Sequence, residues 1–194
     1  MIEPTLDRRE LLSRLFPTPD DYLMVSGLAG SARDAAALTT DGDNLFTMAG
    51  TMGAAVSMGL GVALSAPNSR VAVITGDGEL LMNVGALATV ASMAPANLSI
   101  VCIDNGRHGE TGGQPSHTAH ATDLAMIAEG AGLPSTMTVT TTGQVAAGAK
   151  FLIEAPGPRF LLARVTDGPP AAYKRDMDSA ACRLRFRDAY LDSQ

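Results

Sequence analysis

Apolar positions along this chain fall into two alternating rhythms. Segments with helical spacing are followed by short continuous apolar runs of strand length, and Gly, Pro, Asn or Asp separates them. Residues 5–16 predict an amphipathic helix with Leu6, Leu11, Leu12 and Leu15 on one face, stopped by Pro17 and Pro19. Residues 22–26 predict a strand and 27–30 a glycine-bearing loop, after which Ser31 can cap a helix to about Leu38. A turn over 41–44 leads to a short strand at 45–48. Residues 50–53 form a tight connection into a small-residue helix over 54–65, and Pro67-Asn68 makes a turn. A buried strand over 70–75 ends in Gly76-Asp77-Gly78 and is followed by a helix over 79–93 and a second buried strand over 96–104. Residues 105–121 are rich in Gly and polar side chains, a loop of roughly 17 residues, and connections that long are commonly functional. Helix over 123–130, strand over 136–140, helix over 144–154 and strand over 159–166 complete the pattern.

Strands that alternate with helices imply an α/β domain: a doubly wound, mostly parallel six-stranded sheet with helices on both faces. Residues 1–167 make up this domain, and 168–194 form a C-terminal tail without a strand signal, expected to be solvated or to face another subunit. No internal repeat is visible. Ligands of such sheets bind outside the carboxyl ends of the strands, and three glycine-bearing segments fall there: 27–30, 76–78 and 105–113.

Composition removes several alternatives. The 194 residues are 46% hydrophobic, enough for one domain with a sizeable core, and the net charge of -6 argues against a nucleic-acid partner. Cys102 and Cys182 are far apart and lack metal-ligand spacing; Cys102 lies in an apolar run and is expected to be buried. The N-terminus lacks the basic start and apolar core of a signal peptide, and the apolar stretches are too interrupted to span a bilayer. A cytoplasmic protein that binds no membrane is the expectation.

The densest chemistry lies in Thr75-Gly76-Asp77-Gly78-Glu79 and in Asp104-Asn105-Gly106, each at the end of an apolar strand. Asp77 and Asn105 are 28 positions apart with one strand–helix–strand unit between them, which brings both loops to one edge of the sheet. A carboxylate and an amide oxygen there are hard ligands suited to magnesium. Gly76 and Gly78 let the backbone approach a diphosphate, and a following helix would direct free N–H groups at it. By contrast, Gly59-Leu60-Gly61 lies within a predicted helix and lacks a third glycine, so close helix packing explains it better than dinucleotide binding.

The spacing Gly-Asp-Gly, nearly thirty residues, then Asn resembles the signature of thiamine-diphosphate enzymes. The resemblance implies that Asp77 and Asn105 bind Mg2+ through side chains and Arg107 through its backbone carbonyl. It places Gly76, Asp77, Gly78, Glu79, Asn105, Arg107, His108 and Gly109 against the diphosphate. Upstream, Ala49-Gly50-Thr51-Met52-Gly53 resembles the family segment around the aminopyrimidine. There Gly50 would accept a hydrogen bond from the 4'-amino group, Thr51 would lie beside it, and Met52 would enforce the bent cofactor. The segment from Asn105 to Pro115, Asn-Gly-Arg-His-Gly-Glu-Thr-Gly-Gly-Gln-Pro, looks like the matching loop of sulfopyruvate and phosphonopyruvate decarboxylases. Ser31, Arg33 and Asp34 also fit that group, whereas Leu28, Ala29 and the bulky, acidic Glu79 depart from it.

His108 and Glu110 stand between a metal ligand and a glycine-rich turn. They are candidates to reach the substrate or move a proton, or else they are solvated or shape the loop; His117 and His120 read as solvated or as shaping the loop. The family also requires a glutamate from a separate pyrimidine-binding domain, for which this chain has no room. A chain that begins with Met and fills one domain suggests a natural small (beta) subunit. Its pyrimidine-binding (alpha) partner would supply that glutamate in a hetero-oligomer. The implied reaction is non-oxidative decarboxylation of a small 2-oxo acid, with sulfopyruvate or phosphonopyruvate as candidates. A carboligase or oxidoreductase subunit, or a non-catalytic cofactor-binding subunit, is also compatible with these residues.

Overall fold

The structure, a computed structural model, describes residues 3–193. Six strands build the main sheet: β1 (Tyr22–Ser26), β2 (Leu45–Thr47), β3 (Arg70–Gly76), β4 (Leu98–Asp104), β7 (Ser135–Val139) and β8 (Arg159–Arg164). Between β4 and β7, β5 (Arg107–His108) and β6 (Gln114–Pro115) form a small antiparallel hairpin. All pairings in the main sheet are parallel, in the order β2-β1-β3-β4-β8-β7.

Successive strand residues point to opposite faces, and both faces are covered. Val71, Val73, Ile100, Cys102, Phe160 and Leu162 pack under α3 (Ala55–Ser65), α5 (Ala86–Met93) and α6 (Leu124–Gly130). Ala72, Ile74, Val101, Ile103, Leu161 and Ala163 pack on the other side against α1 (Arg8–Leu15), α2 (Ala29–Thr39) and α7 (Val145–Glu154). This two-sided burial explains why β4 is buried at all seven positions and reads as a continuous apolar run. Gly59 lets α3 lie close on the sheet, since a Cβ there would stand 2.1 Å from Val73 Cγ2. Cys102 is buried, as expected, and so is Cys182; both are free thiols.

Several boundaries differ from the sequence expectation because side chains intervene. The first helix starts at Arg8, where the Asp7 carboxylate accepts from Arg9 N; Leu6 instead bridges to Val165, just past the end of β8. Ser31 does not cap α2, which begins at Ala29, and its hydroxyl donates back to Leu28 O at 2.8 Å. The single helix expected over 79–93 is broken into α4 (Asp77–Met82) and α5, because Asn83 leaves helical geometry and its amide donates to Gly53 O at 3.1 Å. The strand expected from Ala96 starts at Leu98, since Asn97 Nδ2 lies within 3.1 Å of the carbonyls of Ala63, Ala66 and Ser69.

The tail carries no strand, but it contains α8 (Ser179–Asp192), a helix the apolar pattern did not predict. Cys182 and Phe186 are buried, and Phe186 meets Phe46 edge-on at 5.6 Å. Of the expected division at residue 167, positions 1, 2 and 194 lie outside the described residues. Among the described residues no helix is long and apolar enough to cross a membrane.

Strand order reverses around β1, which is flanked by β2 on one side and β3 on the other. The loops that leave β1 and β3 therefore diverge to opposite sides and open a crevice at their carboxyl ends. Residues 27–30 and 76–78 lie at this switch point, with the end of β4 beside them.

Candidate functional site

The turn from β3 into α4 buries two carboxylates two positions apart. Asp77 is 2% exposed and Glu79 5%. Asp77 Oδ2 accepts from the hydroxyls of Ser116 and of Thr118, the latter at 3.1 Å. Thr118 Oγ1 also lies 2.7 Å from Asp104 Oδ1, so one hydroxyl bridges the ends of β3 and β4. Arg164 approaches the buried Asp104 at 3.7 Å. Burial pushes the Asp77 carboxyl above the usual carboxylate range and the nearby Asp104 charge raises it further, while the Ser116 and Thr118 hydroxyls work against both.

Glu79 turns the other way, toward the loop after β1. Its Oε2 accepts from Leu28 N and from Thr75 Oγ1, both at 3.0 Å, while Oε1 is buried without a hydrogen-bond partner among the described residues. Burial raises its carboxyl above the ordinary glutamate range, and the hydrogen bonds from Leu28 and Thr75 oppose that shift. The carboxylate fills the space where residue 27 would carry a side chain: a Cβ on Gly27 would fall 1.7 Å from Glu79 Oε2. Residue 29 supplies the left-handed backbone of this loop, with Ala29 at φ 59°.

The segment after β4 is ordered by its own contacts. The hairpin β5–β6 is held by Gly113 N donating to His108 O, and Ser116 N donates to Gly106 O. Asn105 Oδ1 accepts from Arg107 N at 3.3 Å. The Arg107 guanidinium pairs with Asp167 at 3.2 Å and donates to Gly113 O. The His108 ring lies over Gly78, whose absent Cβ would come 2.5 Å from His108 Nδ1.

A cavity opens where these pieces meet. Met52, Gly76, Asp77, Gly78, Glu79, Asn105, Arg107, His108, Gly109 and Glu110 line it, so ten of the residues singled out from the sequence share one surface. Gly50 and Thr51 do not line it; both are exposed on the neighbouring connection, where a side chain at Gly50 would meet no atom within 4 Å. His117 and His120 are exposed, as expected. Among the described residues no group of three or more His, Cys, Asp and Glu side chains is arranged to hold a metal. The set expected here is of another kind: one carboxylate, one amide and one backbone carbonyl.

Sequence reasoning missed Arg8, Ser116, Thr118 and Asn83. Arg8 lines the cavity and pairs with Asp34. Its signal was its position, since Arg8 falls on the same helical face as Leu11, Leu12 and Leu15, where a charge is out of place. Ser116 and Thr118 carried no local signal, because only the fold of the hairpin brings them back to Asp77.

Comparison with known proteins gives a consistent picture. The family described as "Thiamine pyrophosphate enzyme, C-terminal TPP binding domain" matches residues 29–163. Sulfopyruvate decarboxylase subunit beta of Methanocaldococcus jannaschii is 48% identical over 101 residues, 52% of each chain. Phosphonopyruvate decarboxylase of Streptomyces viridochromogenes is 37% identical over 150 residues, covering 77% of this chain and 37% of that one. The chain thus spans about half or less of the length of these two relatives. A solved structure from Mycobacterium smegmatis, proposed to be a thiamin diphosphate-dependent enzyme, superposes with a TM-score of 0.70 at 24% identity, covering 84% of this chain and 32% of that one.

Proposed function

Because the chain belongs to the thiamine pyrophosphate enzymes, through their C-terminal TPP-binding domain, we propose that it is the small, beta-type subunit of a magnesium-dependent 2-oxo acid decarboxylase completed by a second polypeptide. The observation that carries this reading is the single cavity shared by Asp77, Asn105, Arg107 and the glycine turns of β1 and β3. The donor set fits the group. Two buried carboxylates, Asp77 and Asp104, joined through Thr118 leave negative charge that a divalent cation would offset. Space beside Gly76, whose Cβ would have no neighbour closer than 3.9 Å, suits a diphosphate.

In this reading Asp77 and Asn105 hold Mg2+ by side-chain oxygens and Arg107 by its carbonyl. Gly76, Gly78, Glu79, His108 and Gly109 surround the diphosphate, and Gly50, Thr51 and Met52 receive the aminopyrimidine. Bound thiamine diphosphate supplies a carbon nucleophile and a sink for the electron pair left by carbon dioxide. His108 and Glu110, on the cavity rim, are the chain's own candidates to hold or move a proton at the substrate. An alpha-type partner would add the glutamate that activates the pyrimidine, with the tail beyond residue 167 facing it, in the cytoplasm. The named relatives favour a 2-oxo acid with an anionic far end, such as sulfopyruvate or phosphonopyruvate.

Calorimetric titration of thiamine diphosphate with Mg2+ into the full chain, alone and with its co-expressed partner, tests the reading. Binding should require Mg2+, strengthen with the partner and weaken at least about 100-fold in Asp77→Ala, as expected when a direct metal ligand is lost. Absence of binding in every folded preparation would overturn it.

A further inference from the structure

We propose that Arg8 is a diphosphate-holding residue, a buried cation that Asp34 orients toward the terminal phosphate of the bound cofactor. The proposal rests on the thiamine-diphosphate reading of the site and adds to it a residue from outside the glycine motifs.

Arg8 opens α1 and is 7% exposed. A guanidinium is rarely buried unless it is paired. Arg8 is paired on one side only. Its Nε and Nη2 both meet Asp34 Oδ2 at 2.8 Å, and Asp34 Oδ1 accepts from Ala171 N at 2.8 Å. Asp34 is itself buried, so the pair is fixed by packing as well as by charge. The third nitrogen, Nη1, has no hydrogen-bond partner among the described residues, and Arg8 lines the cavity together with Asp77, Asn105 and the residues that begin α2.

Two further features point the same way. The guanidinium lies flat against Gly30: a Cβ there would stand 2.4, 2.7 and 2.8 Å from its Nη2, Cζ and Nη1. The eleven-residue α2 begins beside it at Ala29, and no side chain caps its first N–H groups. An uncapped helix start next to a buried guanidinium with a spare donor is the combination that binds a phosphate oxygen. The other cavity-lining arginine, Arg107, is exposed and already engaged by Asp167 and Gly113 O. Arg8 is therefore the buried cation available to the anion.

The test uses the full chain with Mg2+ and three probes: thiamine diphosphate, thiamine monophosphate and inorganic pyrophosphate. Each is titrated calorimetrically into the parent, Arg8→Lys, Arg8→Gln and Asp34→Asn, after circular dichroism has confirmed folding. Arg8→Gln should weaken thiamine diphosphate and pyrophosphate about 10- to 100-fold, the usual loss for one charge-assisted hydrogen bond. It should leave thiamine monophosphate nearly unchanged, so the preference for diphosphate over monophosphate collapses. Arg8→Lys, which keeps the charge, should recover part of that preference, and Asp34→Asn should fall between parent and Arg8→Gln. A parental diphosphate preference in folded Arg8→Gln would overturn the proposal while leaving the cofactor reading intact. A parent chain, with its partner, that binds none of the three probes would overturn both.

Discussion

Gly76 stands at the end of β3 with open space beside it, whereas Gly27, Gly30 and Gly78 stand where side chains from other elements press against the backbone. A Cβ at position 76 would find nothing nearer than 3.9 Å, while one at 27 or 30 would collide with Glu79 or Arg8. Neither loop needs its glycines for a left-handed backbone; in the β1 loop that conformation falls on Ala29. At Gly76 the end of β3 thus leaves open space on the cavity side. The β1 loop is shaped by what already lies inside it. Glu79 belongs to both, since it follows the β3 turn in sequence and braces the β1 loop through Leu28 N. A sequence motif and a tertiary strut share one short helix.

That contrast can be broken at its strongest point. Gly27→Ala should cost about 1–3 kcal/mol or more, as overpacking a rigid site does, seen as a lower midpoint in chemical denaturation. Adding Glu79→Ala vacates the colliding carboxylate, so the double variant should be more stable than the sum of the two single losses. A coupling of about 0.5–3 kcal/mol is expected for groups in contact. Strict additivity would mean that Glu79 does not shape the loop.

Next in size is Glu79→Ala alone, which strands Leu28 N and Thr75 Oγ1 and should cost about 1–3 kcal/mol. Glu79→Gln keeps an acceptor for both and should lose less. Hydrogen exchange at Leu28 should accelerate in the alanine variant and stay slow in the glutamine variant. The smallest effect is expected from Ala29→Gly. Relief of the left-handed strain, about 1–2 kcal/mol, is offset by the added chain entropy of glycine. The net gain should be under about 1 kcal/mol, read as a small rise in Tm.

Much of this protein was legible from one sequence. The doubly wound parallel sheet followed from alternating rhythms, because strands buried on both faces must be continuously apolar and crossover helices must be amphipathic. Asp77, Asn105, Arg107 and the glycines around them stood out because short motifs of these residue types suit metal and phosphate chemistry, and the fold brought them onto one cavity with His108 and Glu110.

Interruptions of these rhythms were not legible. The helix expected over 79–93 broke at Asn83, whose partner Gly53 lies 30 positions away. The tail helix α8 alternates polar and apolar residues without a clear stripe, and its contacts with Phe46 and Thr47 show which side is buried. Glu79 stood out because it follows Gly-Asp-Gly, but nothing local recorded that its carboxylate also accepts from Leu28 N and Thr75 Oγ1.

Local patterns in a chain record which way each segment turns and which chemistry a short motif can support, since both depend on neighbours a few residues away. They do not record which distant side chain fills the space beside a glycine, or which buried charge keeps a donor free. Arg8, Asp34, Ser116 and Thr118 took their places only when strands far apart in sequence were laid side by side. The sequence by itself determined the sheet and the position of its ligand edge. Tertiary packing decided which side chains reach that edge, because the contacts of Arg8 with Asp34 and of Ser116 and Thr118 with Asp77 span from 26 to 41 residues of chain that no local rhythm can encode.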